Sequence, residues 1–188
     1  MSEKGWAGVV LAGGQSSRMG RDKALLPFNG KPLIARAIDI LRPHVDELLI
    51  IGDPNKYDGF GPLALADDSP GLGPLGGIVT ALRYAWNDRL LILACDMPHV
   101  NANFIGHLKA RSDEGFDAVV AQCDGHLEPL AAVYHRSCRA VFSAQLAAGA
   151  LKLSDAIERV RTCYSQVCPG EEGWPDDLFR NINAPSDL

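Results

Sequence analysis

Two cations lie five residues apart in a glycine-rich segment near the start of the chain, where they could hold phosphate groups. The segment follows an apolar run and reads Leu11-Ala12-Gly13-Gly14-Gln15-Ser16-Ser17-Arg18-Met19-Gly20-Arg21-Asp22-Lys23. Because Gly13 and Gly14 carry no Cβ, their backbone N–H groups can approach an anion closely. Arg18 and Lys23 add positive charge beside such an anion. The alternative is a glycine turn with two solvated cations, but the position directly after an apolar strand favours phosphate binding.

A carboxylate at the end of another apolar run could bind a metal ion. The run Leu90–Cys95 leads directly to Asp96, and Met97-Pro98 then turns the chain away. Mg²⁺ is typically held by one or two carboxylates together with substrate phosphate oxygens. The alternative role for Asp96 is to cap the following turn.

The chain has two glycine-containing stretches, and neither is a common nucleotide-binding motif. A Walker A motif needs Lys and then Ser or Thr directly after its second glycine, whereas Arg21 follows Gly20. Further along, Gly71-Leu72-Gly73-Pro74-Leu75-Gly76 has the spacing G-x-G-x-x-G. Pro74 removes one backbone donor from that stretch, and no strand-end acid follows about twenty residues later, as a dinucleotide site requires.

The segment Leu11–Lys23 resembles the signature of the MobA-like nucleotidyltransferases, L-A-G-G-x-S-x-R-M-G-x-D-K, and every fixed position is present. The continuation Leu25–Leu33 fits as well, and the resemblance covers nearly the whole chain. It implies an enzyme that transfers GMP from GTP to the terminal phosphate of molybdenum-molybdopterin and releases pyrophosphate. It also implies Mg²⁺ as cofactor, and contacts with other molybdenum cofactor proteins and acceptor molybdoenzymes.

The resemblance further implies roles for individual residues. The expected catalytic residues are Arg18, Lys23 and Asp96, and Asp96 is also the expected Mg²⁺ ligand. The expected substrate-binding residues are Leu11, Ala12, Gly13, Gly14, Lys23, Asp68, Asp96, Asn181 and Asn183. We assign the nucleotide-contacting aspartate of the family's D-x-x-x-G-x-G-P-L-x-G element to Asp68, although Asp67 could compete for that role. Without the resemblance, the two asparagines would be interpreted as a turn and a helix cap.

Two positions depart from the family pattern. Glu128 stands where Gln or His is commoner, near the expected acceptor substrate, and a surface turn explains it equally well. At the end of the second predicted strand, the family often has Asn or Ser, whereas this chain has Ile51-Gly52-Asp53. The nucleotide contact expected there is therefore absent, shifted or made by the backbone.

Other nucleotide-dependent functions share parts of this pattern. Related cytidylyltransferases tend to read L-A-A-G where this chain has Gly13-Gly14, and the missing methyl group at Gly14 leaves room for a purine. A sugar-phosphate nucleotidyltransferase would usually have a longer chain. An NAD-binding oxidoreductase and a non-catalytic nucleotide sensor are more remote alternatives. Nicotinamide-linked spectral change would indicate the oxidoreductase, and GTP binding without pyrophosphate release would indicate the sensor.

Size and composition limit the classes of protein. The 188 residues suit one domain over residues 1–188, and 47% hydrophobic with 22% charged residues is typical of a globular protein. A net charge of −5 argues against a general nucleic-acid surface, and no apolar run is long enough for a membrane helix. Five scattered cysteines without a C-x-x-C pair predict neither a disulfide framework nor a zinc site. We therefore expect a cytoplasmic protein.

Apolar runs alternate with helical patterns along the chain, and this order predicts an α/β fold. The predicted strands are Trp6–Leu11, Leu48–Ile51, Leu63–Ala66, Leu90–Ala94, Ala118–Ala121 and Leu130–Tyr134. The predicted helices are Pro32–Leu41, Ile78–Trp86, Phe104–Arg111, Ser137–Ala148 and Ser154–Val160, the last with Ser154 as N-cap. We expect a three-layer α/β/α sandwich with a mostly parallel, Rossmann-like sheet, the nucleotide-diphospho-sugar transferase type that the resemblance implies.

Overall fold

Short apolar strands form the centre of the molecule, and helices pack on both sides of them. The computed structural model describes residues 5–13, 22–171, 173–183 and 187. The strands are β1 (Trp6–Leu11), β2 (Pro27–Phe28), β3 (Lys31–Pro32), β4 (Glu47–Ile51), β5 (Leu63–Leu65), β6 (Arg89–Ala94), β7 (Ala118–Cys123), β8 (His126–His135) and β9 (Thr162–Gln166). The α-helices are α1 (Leu33–Leu41), α2 (Pro54–Tyr57), α3 (Pro74–Tyr84), α4 (Ala102–Ser112), α5 (Cys138–Ala147) and α6 (Leu153–Ile157).

Within the described residues, seven strands form one sheet in the order β5-β4-β1-β6-β8-β7-β9. Strand β8 is antiparallel to both of its neighbours, β6 and β7, and the other pairings are parallel. The short strands β2 and β3 form a separate antiparallel pair. The predicted mostly parallel sheet is confirmed, and β1 lies inside it between β4 and β6.

Two apolar cores, one on each face of the sheet, make the predicted three layers. On one face, Val10 of β1 packs with buried residues of α1 and α4. On the other face, Val9 of β1 packs with buried residues of α3, α5 and α6. Neighbouring residues of β1 enter different cores because side chains alternate across a strand. The continuous apolar runs of the sequence reflect this burial on both faces.

Several element boundaries differ from the predicted ones. Helix α3 begins at Pro74 instead of Ile78, because proline suits a first helical position while Gly76 and Gly77 weaken the helical pattern there. The N-cap of α6 is Lys152, so the prediction of Ser154 as N-cap is wrong. The strand β9 was missed because an edge strand with alternating exposure has no continuous apolar run.

Strands β7 and β8 are longer than predicted and form a hairpin. They are joined by Asp124-Gly125, whose φ angles of +48° and +80° are those that a tight two-residue turn needs. This dipeptide was an available hairpin signal. The ladder shifts register between Val120 and Ala121: Val120 pairs with Ala132, whereas Ala121 pairs with Glu128.

The expectation of no disulfide is wrong for one pair of cysteines. Cys123 ends β7, and Cys168 follows β9, its parallel neighbour; the two are disulfide-bonded, with Cα atoms 5.0 Å apart. Because 45 positions separate them, their pairing depends on β7 and β9 lying side by side. Cys95, Cys138 and Cys163 are buried free thiols. No helix in the described part of the chain is long and apolar enough to cross a membrane.

Candidate functional site

A cleft of about 960 Å³ lies at the carboxyl ends of the central parallel strands. Leu11 of β1 pairs with Ile51 of β4 and with Ala94 of β6, and all three residues line the cleft. Small-molecule sites typically have volumes of about 300–1,000 Å³, so the cleft can hold a nucleotide-sized ligand. Its position is the one at which open α/β sheets bind ligands.

One part of the lining consists of Lys23, Asp96 and Asn183, which we call the Lys23 side. The Lys23 Nζ donates to Asp96 Oδ2 at 2.7 Å and to Asn183 Oδ1 at 3.1 Å. The side chains of Lys23 and Asp96 are 19% and 26% exposed, so a ligand in the cleft can reach them. An ammonium group has three N–H donors, and these two contacts use two of them. The third can therefore serve a phosphate oxygen.

Asp22 fixes the backbone that carries Lys23. Its Oδ1 accepts a hydrogen bond from the backbone N–H of Ala24 at 3.1 Å, so it caps the 3-10 turn Lys23–Leu25. Ala24 is buried in the core beneath this turn. The cap and the buried alanine leave Lys23 at the edge of the cleft, and Asp22 itself lines the cleft. Asp22 is a fixed position of the motif, but its residue type and position alone do not predict this capping role.

One buried residue anchors the C-terminal segment, residues 181–183, next to the Lys23 side. Ile182 packs fully buried against Leu26, Phe28 and Leu33. Its backbone N–H also donates to the carbonyl oxygen of Asp96 at 2.9 Å. The asparagines on either side of Ile182 have exposed side chains: Asn183 reaches Lys23 and lines the cleft, whereas Asn181 is not among the lining residues.

A second part of the lining is formed by Asp67, with Ser69 and Thr80 behind it, and we call it the Asp67 side. Asp67 Oδ1 accepts hydrogen bonds from the backbone N–H of Ser69 and from Thr80 Oγ1, both at 2.9 Å. Thr80 is fully buried in α3. These contacts hold the Asp67 carboxylate at the cleft, which it lines.

The neighbouring Asp68, the assigned nucleotide contact, has different partners. Its Oδ2 accepts a hydrogen bond from Arg83 at 3.0 Å and its Oδ1 accepts one from Tyr84 at 3.3 Å. Asp68 is not among the residues that line the cleft, whereas the competing residue Asp67 is. The spacing D-x-x-x-G fits Asp67, which precedes Gly71 by four positions, and does not fit Asp68, so the motif itself contained the signal for the alternative.

Ala12 and Gly13 line the cleft as expected for the start of the glycine-rich segment. The backbone N–H of Ala12 donates to the carbonyl oxygen of Ile51 at 2.9 Å, which holds this end of the segment against β4. Among the described residues, a Cβ added at Gly13 would meet only that same oxygen, at 3.9 Å. These residues therefore leave open space at Gly13. Gly14 and Arg18 lie outside the described residues.

The departure at the end of the second predicted strand has a structural explanation. A Cβ at Gly52 would lie 2.6 Å from the ring of Tyr57, so a side chain there conflicts with the tyrosine. The next residue, Asp53, caps α2 by accepting a hydrogen bond from the backbone N–H of Asn55 at 3.0 Å. Gly52 and Asp53 line the cleft, where Gly52 offers only backbone atoms.

Asp96 is suited to an oxygen-binding cation. Among the described residues, no three His, Cys, Asp or Glu side chains come together as a metal site, and Mg²⁺ typically completes its coordination with water and substrate phosphate oxygens. Lys23 engages one carboxylate oxygen of Asp96, and a carboxylate has further acceptor capacity. Burial, followed by the charge of Asp96, raises the pKa of the adjacent Cys95 thiol to about 12, and a hard cation such as Mg²⁺ takes oxygen ligands in preference to sulfur.

The predicted acceptor side of the site lies on β8. Leu130 lines the cleft, while Glu128, at the register shift, is not among the lining residues. Burial raises the pKa of the Glu128 carboxyl, and nearby His126 opposes this increase.

Comparison with known proteins gives a consistent set of relatives. Residues 8–162 match the family model of the MobA-like NTP transferase domain. A protein from Carboxydothermus hydrogenoformans named probable molybdenum cofactor guanylyltransferase is 36% identical, over 95% of this chain and 91% of its own. One with the same name from Bacillus licheniformis is 37% identical, over 96% of this chain and 93% of its own.

A solved structure has the same fold over almost its entire length. It is molybdopterin-guanine dinucleotide biosynthesis protein A from Archaeoglobus fulgidus, with a TM-score of 0.80 and 27% sequence identity. The match covers 96% of this chain and 94% of that one. The expected fold type is thereby confirmed.

Proposed function

Because the chain belongs to the MobA-like NTP transferase family, we propose that it transfers GMP from GTP to the terminal phosphate of molybdenum-molybdopterin. The products are the molybdopterin guanine dinucleotide and pyrophosphate. The names of its relatives from C. hydrogenoformans and B. licheniformis support this substrate pair. The observation that carries the proposal is the contact of Lys23 with both Asp96 and Asn183 at the edge of a nucleotide-sized cleft.

The reaction needs positioning and charge stabilisation more than covalent help from the protein. An oxygen of the acceptor phosphate attacks the α-phosphorus of GTP, and the bond from that phosphorus to the bridging oxygen breaks. Pyrophosphate leaves with the electron pair of that bond. A phosphate nucleophile is already ionised near neutral pH, so no general base is required. The chain must align the groups and neutralise the charge that develops.

In this mechanism Lys23 stabilises the pyrophosphoryl group and the transition state. Its ammonium is held by Asp96 and Asn183, which orient it without using all three of its N–H donors. The open space at Gly13 lets the backbone approach the phosphates closely. Arg18 is proposed to act beside Lys23 on the same phosphates.

We propose Asp96 as the protein ligand of Mg²⁺, together with phosphate oxygens of GTP. Its carboxylate is a hard oxygen donor, and it lines the cleft beside Lys23. When bound, Mg²⁺ would neutralise phosphate charge and orient the triphosphate. Asp67 is the better candidate for the nucleotide contact that we assigned to Asp68, because it is Asp67 that lines the cleft. Contacts with other molybdenum cofactor proteins and a cytoplasmic location belong to the same proposal.

The test is pyrophosphate release from each of the four NTPs, with and without molybdenum-molybdopterin and in the presence of Mg²⁺. We expect release with GTP only when the acceptor is present. Preferred use of CTP would instead indicate a cytidylyltransferase. GTP binding without pyrophosphate release, under conditions where a known guanylyltransferase is active, would contradict the proposed reaction.

A further inference from the structure

The hydroxyl group of Tyr57 lies between the two ends of the glycine-rich segment. It is 3.1 Å from the carbonyl oxygen of Ala12, at the start of that segment. It is also 3.0 Å from Oδ1 and 2.9 Å from Oδ2 of Asp22, at the segment's other end. One hydroxyl therefore contacts residues ten positions apart that flank the whole run from Gly13 to Arg21.

The surroundings of Tyr57 fix this hydroxyl in place. Tyr57 is the last residue of α2 and is 2% exposed. Its ring lies against Gly52, where a Cβ would come within 2.6 Å of it. Burial, followed by the hydrogen bond and charge of Asp22, raises the pKa of the Tyr57 hydroxyl. The group thus stays protonated at neutral pH, and its single O–H is shared in a bifurcated arrangement between the Asp22 carboxylate and the Ala12 carbonyl oxygen, both of which accept from it.

Asp22 connects Tyr57 to the Lys23 side of the cleft. The same carboxylate that contacts the hydroxyl also caps the 3-10 turn that begins at Lys23. Lys56 adds a partly exposed ion pair to it, with 3.0 Å between Nζ and Oδ2. Tyr57 does not line the cleft, so any effect of its hydroxyl on a ligand passes through Ala12 and Asp22.

We propose that Tyr57 is a positioning residue for nucleotide binding and transfer. Its hydroxyl joins the two ends of the glycine-rich segment and, through the cap that Asp22 makes, sets the position of Lys23 relative to Asp96. The proposal rests on the proposed function for the reaction that it supports. It concerns the nucleotide half of the site, so GTP binding tests it independently of the acceptor.

The experiment compares Tyr57→Phe with a matched control, Tyr134→Phe. Tyr134 is also buried, and its hydroxyl donates to the carbonyl oxygen of Pro129 at 2.8 Å, away from the glycine-rich segment. We expect Tyr57→Phe to weaken Mg²⁺-dependent GTP binding and to lower kcat/KM by about 10–100-fold, the effect of losing a hydrogen bond to a charged group. The control should lose comparable thermal stability while retaining GTP affinity and kcat/KM.

A double-mutant cycle with Asp22→Asn tests whether Tyr57 acts through Asp22. If it does, Tyr57→Phe/Asp22→Asn should lose no more GTP affinity than the more impaired single variant. Losses that multiply would overturn the proposal, and so would wild-type GTP affinity and kcat/KM in Tyr57→Phe, or equal losses in the Tyr134→Phe control. If Tyr57→Phe does not fold, Asp22→Asn decides: an unchanged GTP affinity overturns the proposal.

The same measurements separate this proposal from the proposed function. A wild-type protein that binds GTP but releases no pyrophosphate with molybdopterin would contradict the proposed reaction. The affinities of the four proteins of the cycle would still support or overturn the role of Tyr57.

Discussion

The two characterised parts of the cleft lining are built from contacts of very different range along the chain. On the Lys23 side, the two hydrogen bonds span sequence separations of 73 and 160 positions. On the Asp67 side, the two hydrogen bonds span separations of only 2 and 13 positions. The Lys23 side is thus completed only when β6 and the C-terminal segment are in place, whereas the Asp67 side is mostly a local structure between β5 and α3.

This difference predicts different consequences for substitutions. The groups of the Lys23 side are partly exposed, so their removal should change turnover more than stability. The Asp67 carboxylate is held by a backbone N–H and a buried threonine hydroxyl, so its removal should change stability as well. The variants below test this contrast, beginning with the largest expected effect.

Lys23→Ala should lower turnover by about 10²–10³-fold, the scale of one lost transition-state contact. Its thermal stability should change little, because the side chain is partly exposed and its loss leaves no cavity in the core. Saturation kinetics with GTP and a thermal melt provide the measurements. The matched control is Lys31→Ala, which removes a lysine from a surface ion pair with Asp39. Unchanged turnover at saturating GTP would remove Lys23 from the catalytic roles.

Asp96→Asn should lower activity by about 10–100-fold, since it weakens a charge-assisted hydrogen bond to Lys23 and the proposed metal site. The Mg²⁺ concentration needed for half-maximal activity should also rise. Asp113→Asn, which replaces a mostly exposed carboxylate that pairs with Arg89, is the control. A variant with wild-type activity and an unchanged Mg²⁺ titration would show that Asp96 only shapes the turn after β6.

Asp67→Ala and Asp68→Ala form a matched pair of adjacent residues. The first should lower the free energy of unfolding by about 1–3 kcal/mol, because it leaves the partners of a buried hydrogen-bonded group unsatisfied. It should also weaken GTP binding. The second should stay within about 0.5 kcal/mol, as for other surface substitutions, and should retain GTP affinity. Denaturant melts measure the free energy of unfolding, and GTP titrations measure the affinity. If Asp68→Ala weakens GTP binding and Asp67→Ala does not, the nucleotide contact belongs to Asp68.

Asn183→Ala should have the smallest effect, lowering kcat by about 2–10-fold through the loss of one hydrogen bond to Lys23. The fold should be retained, because the buried neighbour Ile182 still anchors the segment. Asn181→Ala is the control from the same segment, since Asn181 does not line the cleft. Equal kcat values for the two variants would mean that the contact with Lys23 does not orient the ammonium.

The extent to which the sequence predicts the fold differs between the two halves of the sheet. Strand β1 was predicted at its observed bounds, Trp6–Leu11, and β6 differs by one residue. Both are buried on two faces, which gives continuous apolar runs. The strands of the β7–β8 hairpin were predicted too short and β9 was missed, because polar residues interrupt such runs in these strands.

For the site, the sequence by itself determined the chemistry that is available. The glycine-rich segment with Lys23 and the strand-end Asp96 follow from residue types at fixed spacings, and the carboxyl ends of parallel strands bring them together. Such features are local, so a linear pattern can contain them.

Only the tertiary structure decided which distant side chains meet. It brought Asn183 to Lys23, paired Cys123 with Cys168 and placed the Tyr57 hydroxyl at the ends of the glycine-rich segment. It also showed that Asp67, whose spacing to Gly71 fits the motif, lines the cleft and that Asp68 does not. The physical reason is that the direction of a side chain in a loop is set by packing and hydrogen bonds with remote residues. Those partners are specified by the order and pairing of the strands, which no short stretch of sequence contains.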